Sequence, residues 1–240
     1  VEQALSCIQH PHRSWVKERF TAKGMPILSV AIIGGGQTGL TMAFSLKRHC
    51  IDNICVFDKS PEDAAGAWIN IGRMKTLRTP KSTTGPDLDI PMLSVKNWYS
   101  RQHGEEAWEA LDYIPRLVWH DYLNWFRKVL KLPVRFNSEI SSLTWDEENQ
   151  CYKLVINRNN TQEVVFARKV ILATGLDGSG KWMVPEFIEM KLPRSRYSQA
   201  TWPIGEELVR GKSVAILGAG PNAFDLAVES EKMGAKSIEI

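Results

Sequence analysis

Apolar positions along this chain follow two periods, and each predicts a different element. Short apolar runs of strand length recur, and three of them lead into glycine. Val30–Ile33 runs into Gly34, Val170–Ala173 into Thr174-Gly175, and Ser213–Leu217 into Gly218. A fourth, Ile54–Phe57, ends at Asp58. These read as buried strands. Helical spacing follows the first and the last, over Thr41–His49 and Phe224–Met233. Residues 105–132 also read as helix, with Trp119, Leu123, Phe126 and Leu130 on one stripe beside Tyr122 and Val129. That stripe is core packing, and Pro133 stops the helix. Alternation marks Ile140–Trp145, Tyr152–Asn157 and Val164–Ala167 as an antiparallel meander, with Asn159-Asn160 as the turn between the last two.

The glycines give the strands a chemistry. Gly34, Gly36 and Gly39 have the spacing G-x-G-x-x-G between a strand and a helix. In this dinucleotide-binding fingerprint the first glycine allows the tight turn, the second lets backbone approach a pyrophosphate, and the third lets helix pack on sheet. Asp58 lies nineteen residues after Gly39, close to the offset of about 20 expected for the acid that holds ribose hydroxyls. A second fingerprint, Gly218-Ala219-Gly220-Pro221-Asn222-Ala223, follows the last strand, with alanine in the third place. The prediction is an α/β protein: one Rossmann-like domain with a parallel sheet and an inserted β-meander, then the start of a second Rossmann-like domain. The chain stops at Ser237–Ile240 as the next strand begins. The expectation is therefore a fragment, or a truncated product, of something longer.

Composition changes this picture little. The 240 residues allow one or two domains with a real core. The net charge of +3 is small and dispersed, and no aromatic-plus-basic RNA motif or zinc spacing is present. No apolar run approaches the roughly 18 residues of a membrane span, and the first residues lack a secretory apolar region. These features predict a cytoplasmic protein without nucleic-acid or membrane partners. Cys50 and Cys55 have a C-x4-C spacing, but a helix end and a strand interior suit packing better than redox exchange. His10 and His12 flank Pro11 and read as solvated loop rather than metal ligands.

Residues 59–97 form a long irregular segment with several prolines and glycines. Its Trp, Met, Leu and Ile content argues against disorder, and a long loop in a compact domain is usually functional. Within it, Arg73, Lys75, Arg78 and Lys81 place four cations in nine residues. They face either phosphates, an anionic substrate, or solvent.

Together these motifs resemble the two-dinucleotide flavoproteins of the flavin-containing and Baeyer–Villiger monooxygenase superfamily, over about Ser29 to Ile240. The resemblance implies FAD in the first fold and NAD(P)H in the second. It divides the chain into an N-terminal arm (1–27), an FAD-binding domain (28–178), a linker (179–211) and an incomplete NAD(P)-binding domain (212–240). Gly34, Gly36, Gln37, Thr38 and Gly39 would cradle the FAD pyrophosphate. Asp58 would hold the ribose, with Lys59 beside the adenosine. Gly66-Ala67-Trp68 is similar to a G-G-x-W element near the flavin. Trp68, Met74 and Thr79 would line that ring, and Arg78 would meet the flavin or an anionic substrate. Ala173-Thr174-Gly175 matches the family's A-T-G strand end. Gly218, Gly220, Pro221 and Asn222 would hold the phosphates of the nicotinamide nucleotide.

The implied activity is NAD(P)H-driven monooxygenation of a small-molecule substrate with O2, through a C4a-(hydro)peroxyflavin. No catalytic side chain is required, because the cofactor carries the hard chemistry. One departure narrows the activity. Where these monooxygenases carry F-x-G-x-x-x-H-x-x-x-W/Y, this chain has Arg196–Pro203 with no histidine, which argues against Baeyer–Villiger chemistry. The alternatives are an FAD-binding module without turnover and an N-hydroxylase of amines or amino acids. A disulfide reductase would need a dithiol beside the flavin, and the cysteines sit on the wrong elements.

Overall fold

A computed structural model describes residues 1–8, 13–159, 161–176, 178, 180 and 183–240. Its centre is strand β2 (Pro26–Ile33), which pairs in parallel with β3 (Ile54–Phe57) on one side and with β7 (Thr161–Leu172) on the other. Beyond β3 lies β4 (Val134–Arg135), also parallel. Beyond β7 lie β6 (Cys151–Arg158) and β5 (Glu139–Asp146), both antiparallel to their neighbours. Strand β1 (Arg19–Phe20) caps the start of β2.

Side chains on β2 alternate between two cores, as a pleated strand requires. Val30 and Ile32 enter the larger one, under helices α2 (Gln37–Arg48) and α6 (Arg116–Val129). Ala31 enters the smaller one, with Phe57, Leu154, Ile156 and Ala167. The stripe on α6 is core, as its spacing predicts: Trp119, Tyr122, Leu123 and Phe126 are buried, and Phe126 meets Phe44 edge-on at 5.5 Å. The N-terminal arm also contributes, because Val1 and Leu5, the latter on α1 (Glu2–Cys7), pack against this core.

Several element boundaries differ from the sequence reading, and three of them change the picture. The third meander strand and the buried run after it are one strand, β7. Arg168-Lys169 splits the apolar pattern there, yet Lys169 stays in register opposite Val30, with its long side chain led outward. β7 therefore closes the meander and completes the parallel sheet at once. The helix expected over 105–132 is two, α5 (Glu105–Glu109) and α6, and it ends at Val129 ahead of Pro133. Pro115 holds Ile114 out of helical backbone, and both pair with the basic segment: Leu77 N–H donates to the Ile114 carbonyl at 2.8 Å. Helix α2 begins at Gln37, four residues earlier than the periodicity indicates, so half the fingerprint is its first turn.

Further along, α3 (Ala67–Asn70) and α4 (Val95–His103) order the irregular segment, and α7 (Glu186–Lys191) and α8 (Glu206–Val209) lie in the linker. A separate two-stranded parallel sheet pairs β8 (Ser213–Ala215) with β9 (Ser237–Glu239), and α9 (Pro221–Lys232) connects them. Among the described residues, no helix is long and apolar enough to cross a membrane.

Candidate functional site

Each fingerprint glycine of the first loop has a distinct physical reason. Gly34 turns out of β2 at φ +107°, in left-handed backbone that favours glycine. A Cβ on Gly34 would collide with the Ala173 carbonyl, and one on Gly39 with the Gly34 carbonyl. Gly36 differs, since its φ of −73° suits any residue. A Cβ there would meet only the Gly66 Cα, at 3.4 Å. Nothing within the chain demands a glycine at 36. The space it leaves lies at the N-terminus of α2, where no side chain caps the helix. The first-turn amides of Gln37, Thr38 and Gly39 point out of that end with the positive pole of the helix dipole. Such a cradle fits a pyrophosphate.

Asp58 lies under the loop. It is buried, and its carboxylate accepts the Gly35 N–H at 2.6 Å and the Ser60 N–H at 2.8 Å. Each carboxylate oxygen has a second lone pair, so ribose hydroxyls remain within its capacity. Lys59 is exposed beside it. Ala173 packs beneath Gly34, and Gly175 turns away at φ +62°. The Gly178 N–H donates to the Thr174 carbonyl at 3.3 Å.

The structure gathers the residues of the irregular segment through one that sequence reasoning missed. The Arg116 guanidinium donates to the carbonyls of Trp68 and Met74, the latter at 3.0 Å, and its backbone N–H donates to the Lys75 carbonyl at 3.1 Å. Trp68 and Met74 are thereby held together, with Trp68 edge-on to Trp119 at 6.4 Å. Thr79 lies apart from that grip, exposed beyond buried Leu77. Arg116 carries no motif, and its only sequence signal is its place just after Pro115.

Three of the four cations of the basic segment meet partners, and Lys75 is exposed. Arg73 pairs with Glu229 and Arg78 with Asp225, each at 2.5 Å, and both acids are on α9. Lys81 donates to the Trp108 carbonyl at 2.9 Å and pairs with Glu109. The second fingerprint thus lies against the first fold. Gly218 takes φ +128°, and Pro221 occupies the first position of α9, which suits a residue without an N–H. Cβ atoms at Gly218 and Gly220 would meet nothing within 4 Å. Asn222 is half-buried in the same first turn.

The FAD-NAD(P)-binding family model matches residues 31–177, which include the first glycine loop and the A-T-G strand end. The chain belongs to the FAD-NAD(P)-binding family. Over all 240 residues it is 39% identical to the FAD-dependent urate hydroxylase of Xanthomonas campestris, and covers 50% of that protein. Over 233 residues it is 29% identical to the trimethylamine monooxygenase of Pelagibacter ubique, with 88% of this chain and 50% of that protein covered. The chain spans about half the length of the curated relatives it matches. Among solved structures, the ornithine hydroxylase of Pseudomonas aeruginosa superposes with a TM-score of 0.71 at 15% identity, covering 85% of this chain and 52% of that one. That likeness is one of fold.

Burial pushes the Cys55 thiol up to about 11, which keeps it protonated. Cys50 lies beyond the end of α2 in left-handed backbone, and both thiols are free. His10 and His12 lie outside the described residues, as does Asn160 of the expected hairpin turn. Among the described residues, no three His, Cys, Asp or Glu side chains gather around a common point that could hold a metal.

Proposed function

We propose that this protein is a flavin-dependent oxidoreductase, an NAD(P)H-driven monooxygenase of a small molecule, with FAD on the first glycine loop and NAD(P)H on the second. The observation that carries the reading is the open cradle at Gly36, set under free helix amides and beside a buried acid. Bound FAD supplies what side chains cannot: it takes two electrons from NAD(P)H and activates O2 to deliver one oxygen atom.

The chain's own residues bind and orient. Gly36, Gln37, Thr38 and Gly39 receive the pyrophosphate, Asp58 the ribose, and Lys59 lies beside the adenosine. Trp68, Met74 and Thr79 border the flavin, and Ala173, Thr174 and Gly175 close the floor. Gly218, Gly220, Pro221 and Asn222 receive the phosphates of the nicotinamide nucleotide. Arg78, held by Asp225 and the Pro221 carbonyl of α9, meets the flavin or an anionic substrate. The first fold occupies 28–178 and the second begins at 212, joined by the linker 179–211. The protein works in the cytoplasm, where reduced nicotinamide nucleotide is available.

Urate is the first substrate to test, given the likeness to a urate hydroxylase. The direct experiment is an absorption spectrum of the purified protein before and after NADPH or NADH, under nitrogen. Flavin bands that bleach, then recover in air with faster nucleotide consumption when substrate is added, support the reading. Flavin bands that persist would reduce it to FAD binding without hydride transfer.

A further inference from the structure

We propose that Arg73 is the positioning residue that docks the second nucleotide fold on the first, and so sets the approach of nicotinamide to flavin; this rests on the oxidoreductase reading above. Its side chain is only 12% exposed. It donates to three partners: Nε to the Ala200 carbonyl at 2.9 Å, Nη2 to the Trp202 carbonyl at 2.5 Å, and Nη1 to Glu229 Oε2 at 2.5 Å. Ala200 and Trp202 belong to the linker, and Glu229 to α9. A rigid planar fork satisfies all three in one orientation, so linker and helix are fixed together. The linker end is stiffened again by Arg194, which lies 3.8 Å over the Trp202 ring and donates to the Tyr197 carbonyl at 2.8 Å.

Arg78 adds a second point of attachment. It reaches Asp225 Oδ2 at 2.5 Å and the Pro221 carbonyl at 3.4 Å. Asp225 and Glu229 are four residues apart and share one face of α9. Two contacts along that face fix its rotation as well as its distance. The pairs are not equal, because the Arg78 side chain is 44% exposed and exposed ion pairs contribute little. Arg73, with its shielded fork, carries the docking. The segment between them is anchored to the first fold through Arg116 and through the Leu77–Ile114 hydrogen bond. Hydrogen bonds thus tie residues 74–77 to Ile114 and α6, and their chain neighbours Arg73 and Arg78 to α9.

The test uses Arg73→Met, Arg73→Lys and Glu229→Gln in the FAD-loaded protein. Two quantities are read: hydrogen–deuterium exchange over 196–203 and α9, and the anaerobic rate of flavin bleaching against NADPH concentration. Arg73→Met should speed exchange in both segments by roughly tenfold. It should lower the limiting bleaching rate by roughly tenfold to a hundredfold, since a misplacement of about 1 Å suffices for that. FAD content and the NADPH concentration at half-maximal rate should hold within about twofold, because uniform binding is not what is removed. Arg73→Lys keeps the charge without the fork and should fall between wild type and Arg73→Met; Glu229→Gln keeps both carbonyl bonds and should do least. Faster exchange with an unchanged limiting rate would make Arg73 a structural clasp and overturn the proposal. So would a changed half-maximal concentration at an unchanged limiting rate, which would make it a nucleotide ligand. A wild-type protein that holds FAD but does not bleach would sink the oxidoreductase reading instead, and exchange alone would then decide the docking role.

Discussion

The two glycine loops share a motif but not an environment. In the first, Gly34 and Gly39 are demanded from within: carbonyls of Ala173 and Gly34 occupy the space where side chains would go. Asp58 grips the same loop from below through the Gly35 N–H. In the second, Gly218 is demanded by its backbone angle alone, and Gly220 by nothing within 4 Å. The same spacing therefore encodes a packed turn in one place and an open one in the other. At 36 and at 220 the chain's packing does not exclude a side chain, and glycine there serves as a helix N-cap; both positions are left open for the phosphates of the proposed function.

The largest expected contrast is between the packing glycines and their open counterparts. Gly39→Ala should destabilise the protein by about 3 kcal/mol or more, because backbone must move. Gly220→Ala should cost about 1 kcal/mol or less, as a lost N-cap glycine in open space. Urea unfolding of the two variants checks this, and equal costs would erase the distinction. Next comes Gly34→Ala against Gly218→Ala. Both require left-handed backbone, worth about 1–3 kcal/mol, but only Gly34→Ala adds a collision, so its unfolding midpoint should be the lower.

Asp58→Ala would leave the Gly35 and Ser60 N–H groups without their acceptor. It should cost about 2 kcal/mol or more in the same assay and loosen FAD further, as equilibrium dialysis would record. The smallest effect lies outside both loops. Burial raises the Asp87 carboxyl above its ordinary 3.8, against backbone hydrogen bonds at Asp87 and Gly85. The folded chain then holds this proton more tightly than the unfolded chain. Stability from this group falls as pH rises through 3.8 toward the folded value, and stays lowered above it. Asp87→Asn should therefore raise the melting temperature slightly at pH 7 and leave it unchanged below pH 3.8. A gain that persists in acid would point to packing instead.

Local features of this fold were legible in the sequence. Strand β3 has the bounds its apolar run predicts, and the α6 stripe is core because helical spacing alone puts it on one face. What failed to read was decided by partners distant in sequence. The Arg168-Lys169 pair looks like an interruption until β2 lies beside it. Pro115 marks the break before α6 locally, but its bridge to Thr76 leaves no trace in the sequence. At the site, glycine spacing identifies the first loop. The grip of Arg116 on Trp68 and Met74, and of Arg73 on Glu229, spans 42 to 156 residues and leaves no periodic trace. The cation cluster was visible as charge, but charge alone does not say which acid it meets.

The most direct test of the central claim is FAD binding by Gly36→Ala, followed by flavin absorbance after gel filtration, beside its unfolding curve. Gly36 has ordinary backbone, and an added Cβ would touch only the Gly66 Cα, at 3.4 Å. The account predicts a stability cost of about 1 kcal/mol or less, as for any lost N-cap glycine, and loss of FAD, because the added methyl group occupies the place of a phosphate. Retention of FAD at the wild-type level by a folded Gly36→Ala protein would contradict it.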